Sequence, residues 1–222
     1  MVPGVAVVLL LALVLAPASG VAGVVRGTVR VPAVAQPPPP EDPYPGRAGS
    51  IPRVRRTVRG LVTDAVLFVA ELPASAESSR RAPVRGARLA QSDQSFVPRV
   101  LPISAGSTVD FPNEDPVYHN VFSVCPLKRF DLGKYGRGKS KQVTFRRAGV
   151  VPVYCDIHSN MAAFIVVAPS RAFAQPDSSG GYALPELPAG HYLLKVWHPD
   201  FDELTRAVSV PDSGEVRLDV SF

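Results

Sequence analysis

Cysteine is scarce in this chain, with only Cys125 and Cys155 among 222 residues. A framework of several disulfides is excluded, although one bridge could form in an oxidising compartment. The Cys-x-x-Cys-His signature of covalent haem attachment is absent. Long periodic stretches of Ala, Leu, Glu and Lys are also nearly missing, which argues against helices. Charge forms no dense block of either sign. The 24 Lys and Arg residues stand against 19 Asp and Glu, and the formal +5 comes mainly from scattered arginines. No aromatic-plus-basic platform accompanies that charge, so nucleic acid is not an expected partner. Beyond the first two dozen residues no apolar run is long enough to span a bilayer.

What is abundant points to short strands. Proline (24) and glycine (17) punctuate a Val-rich sequence, and strands joined by turns in an all-β fold are the expectation. The opening "MVPGVAVVLLLALVLAPASGVAG" is apolar, uncharged and ends in small residues. It reads as a signal peptide over 1–22, removed near Gly20 to Gly23, which makes the mature protein periplasmic or otherwise exported. Because no Lys or Arg precedes the apolar core, retention as an anchor is the alternative. "VVRGTVRVP" (24–32) alternates as a strand, a Pro-rich loop fills 33–53, and "TVRGLVTDAVLFVAEL" (57–72) reads as the next strand. After Pro169, "GGYAL", "GHYLLKVW", "RAVSV" and "EVRLDVSF" give four more. Neither flank is rich enough for a comfortable core of its own. Segments 24–75 and 170–222 are therefore expected to pair into one sandwich, with 86–168 inserted between them.

The inserted segment carries the chemistry. "VYCDIHSNM" spaces Cys155, His158 and Met161 three residues apart in the loop between its last two strands, and a turn in "NEDPVYHNVFS" delivers His119. In a Greek-key sandwich two such loops can share one end. The soft sulfurs favour copper, and a His-Cys-His set with a long axial Met is the arrangement of a one-electron centre. Zinc would more often come with further Cys, His or carboxylate ligands. The rival for Cys155 is a Cys125–Cys155 disulfide, which leaves His119, His158 and Met161 unexplained. A Cys155/His158 nucleophile pair lacks a recognisable orienting acid and oxyanion loop. His191 and His198 have no Cys or carboxylate cluster around them and read as structural or exposed. The basic stretch "KRFDLGKYGRGKSK" reads as solvated charge, with docking to an acidic partner as the alternative.

Taken together, "NEDPVYHNVFS" and "VYCDIHSNM" resemble the cupredoxins, in particular the short ligand loop of amicyanin, and 86–168 is similar to a plastocyanin-type domain. The resemblance implies one type 1 copper ion held by His119, Cys155, His158 and an axial Met161. It also implies that Asn120 ties the two ligand loops together and steadies the sulfur. In the flanks, "GTVRVP", "DAVLFVAEL" and "SGGYALPELPAGHYLLKVWHP" resemble the carboxypeptidase-regulatory or transthyretin-like sandwich, a non-catalytic Ig-like fold. Bacterial proteins that combine the two are often labelled methylamine-utilisation proteins, a label that describes similarity and not a pathway. The expectation is single-electron transfer with a protein redox partner, such as a cytochrome or dehydrogenase with an acidic surface. No substrate is converted, so an enzyme is not expected, nor is a membrane span after signal removal. The alternatives are a copper-binding or carrier protein without electron relay, and an envelope interaction module.

Overall fold

A computed structural model describes residues 22–32, 62–72 and 82–222. The expected signal segment up to residue 21, the Pro-rich loop at 33–53 and residues 57–61 of the second expected strand lie outside the described residues. The first two described stretches contain β1 (Ala22–Arg30) and β2 (Val66–Val69). The stretch expected to be cleaved at Gly20 to Gly23 thus overlaps the start of β1. The middle of the chain forms β3 (Ala87–Arg88), β4 (Ala90–Ser92), β5 (Ser95–Val97), β6 (Val100–Ser104) and β7 (Ser107–Pro112). It continues through β8 (Phe122–Ser123), β9 (Phe130–Asp131), β10 (Ser140–Phe145), β11 (Gly149–Tyr154) and β12 (Ala162–Ala168). The last part supplies β13 (Phe173–Ala174), β14 (Gly181–Ala183), β15 (Leu187–Pro188), β16 (Gly190–His198), β17 (Phe201–Val210), β18 (Gly214–Arg217) and β19 (Val220–Ser221). The fold is all-β.

β2 is shorter than the strand read over 57–72, and a turn stands immediately before it. Ala65 N–H donates back to the Val62 carbonyl, closing a turn. That turn is tied elsewhere: Gln175 Nε2 donates to the Thr63 carbonyl at 2.6 Å, and the Asp64 carboxylate pairs with Arg99. The backbone around 62–64 is therefore spent on contacts outside the ladder.

The middle of the chain folds into two facing sheets. One has the order β10-β7-β3 and the other β6-β12-β11-β8-β9, while β4 and β5 make a separate hairpin. Alternation decides which residues point between the sheets. Along β11, Val151 and Val153 are buried in the central core, and along β12 Ala163, Ile165 and Val167 join them. They meet Val109, Phe111, Val143 and Phe145 from the other sheet. Phe130 bridges the aromatic pair, with ring centroids 6.0 Å from Phe111 and 6.0 Å from Phe145, the latter edge to face at 88°. Burying each such side chain contributes roughly 1.5–3 kcal/mol. The sequence S-D-Q-S makes the β4–β5 turn, with Asp93 (φ 51°) and Gln94 (φ 52°) both left-handed. A two-residue turn of this hand matches the twist of the flanking strands, and it normally prefers Asn-Gly.

β1, β14, β15, β18 and β19 form a flanking sheet, and β13-β2-β16-β17 forms a second one. Between them lies a separate core that draws on both ends of the described chain, including Val25, Val29, Leu67, Leu187, Leu194 and Val196. Gly27 is required there, because a Cβ would lie 1.9 Å from the Leu218 carbonyl oxygen. The outward positions of β12 alternate with its core residues, and they meet the flanking unit. Val166 is buried with Val66 and Val100, surrounded by Phe68, Val150, Phe164 and Trp197. The Phe164 and Trp197 rings are 5.5 Å apart, and Arg99 lies 5.7 Å over the Phe164 ring while pairing with Asp64. Among the described residues, the sandwich thus packs on the outer face of the β6-β12-β11 sheet, away from the loop that joins β11 to β12.

Candidate metal centre

Two loops at one end of the central unit build the site. The first leaves β7 at Pro112 and winds around the side chain of Asn113, which is almost wholly buried. Asn113 Nδ2 donates to the carbonyls of Val117 and Tyr135, both at 2.9 Å, and its Oδ1 accepts from Asp115 N–H at 2.9 Å. His119 is next held by a backbone bridge to Tyr135, donating at 3.2 Å and accepting at 3.0 Å. The second loop joins β11 to β12. Met161 N–H donates to the His158 carbonyl at 3.0 Å, and Cys155 N–H donates to the Met161 carbonyl at 3.3 Å. These bonds make the Cys-x2-His-x2-Met spacing a closed turn.

The loops bring His119, Cys155 and His158 together. The Nδ1 atoms of the two histidines are 3.1 Å apart, and Cys155 Sγ lies 4.0 Å from His119 Nδ1 and 3.9 Å from His158 Nδ1. A point in the plane of these three atoms is roughly 2.1 Å from each, within the range of about 2.0–2.3 Å that imidazole and thiolate bonds to a transition metal require. Two ring lone pairs that face each other at this distance need something positive between them, either a shared proton or a metal ion. No other group of three or more His, Cys, Asp or Glu side chains among the described residues offers such convergence. His119 is fully enclosed, Cys155 is buried and His158 reaches partway to the surface.

Sequence reasoning missed Asp115. Its carboxylate is almost fully buried and accepts from Asp93 N–H at 2.7 Å, Gln94 N–H at 2.9 Å and His119 Nε2 at 2.7 Å. Burial pushes this carboxyl upward, but the hydrogen bonds from Gln94, His119 and Asp93 outweigh it and hold the group below the usual carboxylate range. The signal in the sequence was an Asp four positions before a His, inside a turn opened by Asn113. Tyr135 was missed as well. Its hydroxyl donates to the Phe111 carbonyl at 2.8 Å and accepts from Gln91 Nε2 at 2.7 Å. Burial raises the phenol far above its ordinary pKa despite the Gln91 bond, so it stays protonated.

Met161 is buried in the central core, immediately before β12 and bonded through its backbone to both Cys155 and His158. Asn120 is buried beside His119. Its side chain bonds Asp131 in β9 and helps hold that carboxyl low, after the larger effect of Gly133 N–H, while its Oδ1 has no partner. The bond described for Asn120 therefore runs to β9. Cys125 and Cys155 are both free thiols. Cys125 Sγ lies 3.6 Å from the Val150 carbonyl, near the start of β11. Cys155 follows the far end of that strand, roughly 16 Å away at about 3.3 Å per residue, beyond the reach of a disulfide. His191 is exposed and bonds Ser209 at 2.8 Å, while His198 packs against Phe201 and Phe222.

No protein-family model and no curated protein matches the chain. Solved structures do. The chain is similar to the copper-containing nitrite reductase from Thermus scotoductus SA-01 at 30% identity, with a TM-score of 0.35, over 36% of this chain and 22% of that one. A purple cupredoxin from Nitrosopumilus maritimus is 23% identical over 37% of this chain and 99% of its own, with a TM-score of 0.34. Amicyanin from Paracoccus versutus is 20% identical over 46% of this chain and 96% of its own, with a TM-score of 0.35. The chain thus spans about a fifth of the nitrite reductase and nearly the whole of each small cupredoxin. All three likenesses cover less than half of this chain, and the carboxypeptidase-regulatory likeness read for the flanks is not shown by them.

Proposed function

We propose that this chain is an exported type 1 copper protein that passes single electrons between protein partners. The observation that carries the reading is the buried triangle of His119 Nδ1, His158 Nδ1 and Cys155 Sγ, with a centre equidistant from all three. The donor set suits copper, since one thiolate with two imidazoles and a thioether in reserve is soft for zinc. When bound, copper supplies the one-electron couple. The chain's own residues supply the rest. His119 is fixed from behind by Asp115 and is closed to water, Cys155 is screened from solvent by its burial, and Met161, buried at the end of the same loop, would be the fourth ligand. A scaffold fastened this firmly reorganises little when the charge in its centre changes by one.

His158 is the proposed point of electron entry and exit, being the ligand that reaches the surface. Val117, Tyr118 and Ile157 are exposed in the two loops that carry the ligands, with Tyr118 at 65%. The basic stretch 128–141 joins this end through the Tyr135–His119 bridge. A partner with an acidic surface around a small apolar contact fits that surface. The flanking sandwich, read as carboxypeptidase-regulatory-like, is proposed as the carrier of the copper unit and not as a catalyst.

The test is the visible spectrum and metal content of the purified protein beside a Cys155→Ser variant. A strong band at about 600 nm in the oxidised wild type, lost in the variant, is expected for a thiolate bound to Cu(II) in this geometry. Copper uptake without that band favours a copper carrier over a relay, and a variant that keeps its colour refutes the ligand assignment.

A further inference from the structure

We infer that Asp115 is a positioning residue that fixes the tautomer and plane of His119, and that the β4–β5 turn holds it in place. The role in copper binding rests on the function proposed above; the effect on the imidazole does not.

The geometry runs in one direction. An ionised carboxylate can only accept, so the 2.7 Å contact between Asp115 Oδ2 and His119 Nε2 requires the ring proton to sit on Nε2. Nδ1 is then left bare, and Nδ1 is the atom that faces Cys155 and His158. A ring hydrogen-bonded to a carboxylate is also a stronger electron donor to whatever Nδ1 binds. Asp115 could not do this if it were free to turn. Its Oδ1 is pinned by Asp93 N–H and its Oδ2 by Gln94 N–H, the two amides that a left-handed turn presents on one side. Both residues use their backbone for this, so their side chains are not what matters. A hairpin some twenty positions upstream thereby reaches the back of the first ligand.

The experiment starts with the metal-free, full-length protein. Nitrogen-resolved NMR should show His119 protonated at Nε2. Protonation at Nδ1 in the wild type overturns the inference without any variant. Asp115→Asn and Asp115→Ala should give a mixture of tautomers, whereas the double variant Asp93→Gly/Gln94→Gly, which keeps the turn and its amides, should behave as wild type. In the copper-loaded protein, Asp115→Asn should weaken Cu(II) binding by about 10–100-fold. If Cu(I) binding falls tenfold less, the reduction potential rises by about 59 mV. An Asp115→Asn variant with the wild-type tautomer, affinity and potential overturns the inference. A fixed wild-type tautomer in a protein that develops no thiolate–copper band supports the positioning role while refuting the copper reading, so the two fail separately.

Discussion

Asn113 is the side chain on which the first ligand loop is wound, and its removal gives a calculable effect. Asn113→Ala deletes three bonds of 2.9 Å. Two of the abandoned groups have recourse. The Tyr135 carbonyl still accepts from His119 N–H, and Val117 is exposed enough for its carbonyl to take water. Asp115 N–H does not, because it lies buried beneath the loop. Two bonds at about 0.5–1.5 kcal/mol each, plus about 1–3 kcal/mol for an orphaned buried donor, give a loss of about 2–6 kcal/mol. Asn113→Asp should be worse at neutral pH, since it keeps the acceptor for Asp115 but sets a carboxylate against two carbonyl oxygens. That excess should shrink on acidification, when the protonated acid can donate once. Urea unfolding of the metal-free protein measures this, followed by fluorescence of Trp197, the one tryptophan, which packs against Phe164 of the central unit. A midpoint shift worth less than about 0.5 kcal/mol at unchanged slope, or an Asp variant as stable as wild type at neutral pH, would refute this account of the loop.

Three further outcomes follow from described contacts. Asp219 has its carboxyl held at about 2 by Arg217 and by the side chain and backbone of Thr28, against an ordinary 3.8. A depressed carboxyl stabilises the fold above its unfolded value, so this contribution should be lost as the pH falls from about 4 to about 2. Asp219→Asn should flatten the stability profile in that window only. Arg99→Ala leaves the buried Asp64 carboxylate without its cation and should cost about 1–3 kcal/mol, read by thermal melting; an unchanged melting temperature counts against the junction as described. Metal-free protein denatured without reductant should yield two reactive thiols, and Cys125→Ser should keep the colour of the copper-loaded form. A protein with no reactive thiol would restore the disulfide.

The convergence of His119, Cys155 and His158 was legible because metal chemistry constrains residue type and spacing together, and a His upstream of a Cys-x2-His loop leaves few other readings. The all-β class was equally plain from proline, glycine and alternating valines. Asp115 was not, since its role depends on amides from a turn that S-D-Q-S does not advertise; without Gly or Asn, nothing in those four letters announces two left-handed residues. β2 was overestimated for a related reason. The apolar run toward Leu72 looks continuous, but Asp64 and Thr63 are engaged by Arg99 and Gln175 from far along the chain. Local pattern shows what a segment can do, and distant side chains decide how much of it is used.

The pairing of β1 sets an order of assembly. Val29 and Arg30 lie beside Val220 and Ser221, and Thr28 bonds Asp219 across a separation of 191 residues. During synthesis β1 emerges early and waits for this neighbour until almost everything else described has left the ribosome. The central unit needs nothing beyond residue 168 for its own ladders. The central unit can therefore close its own two sheets while the flanking sheet beside it is still incomplete.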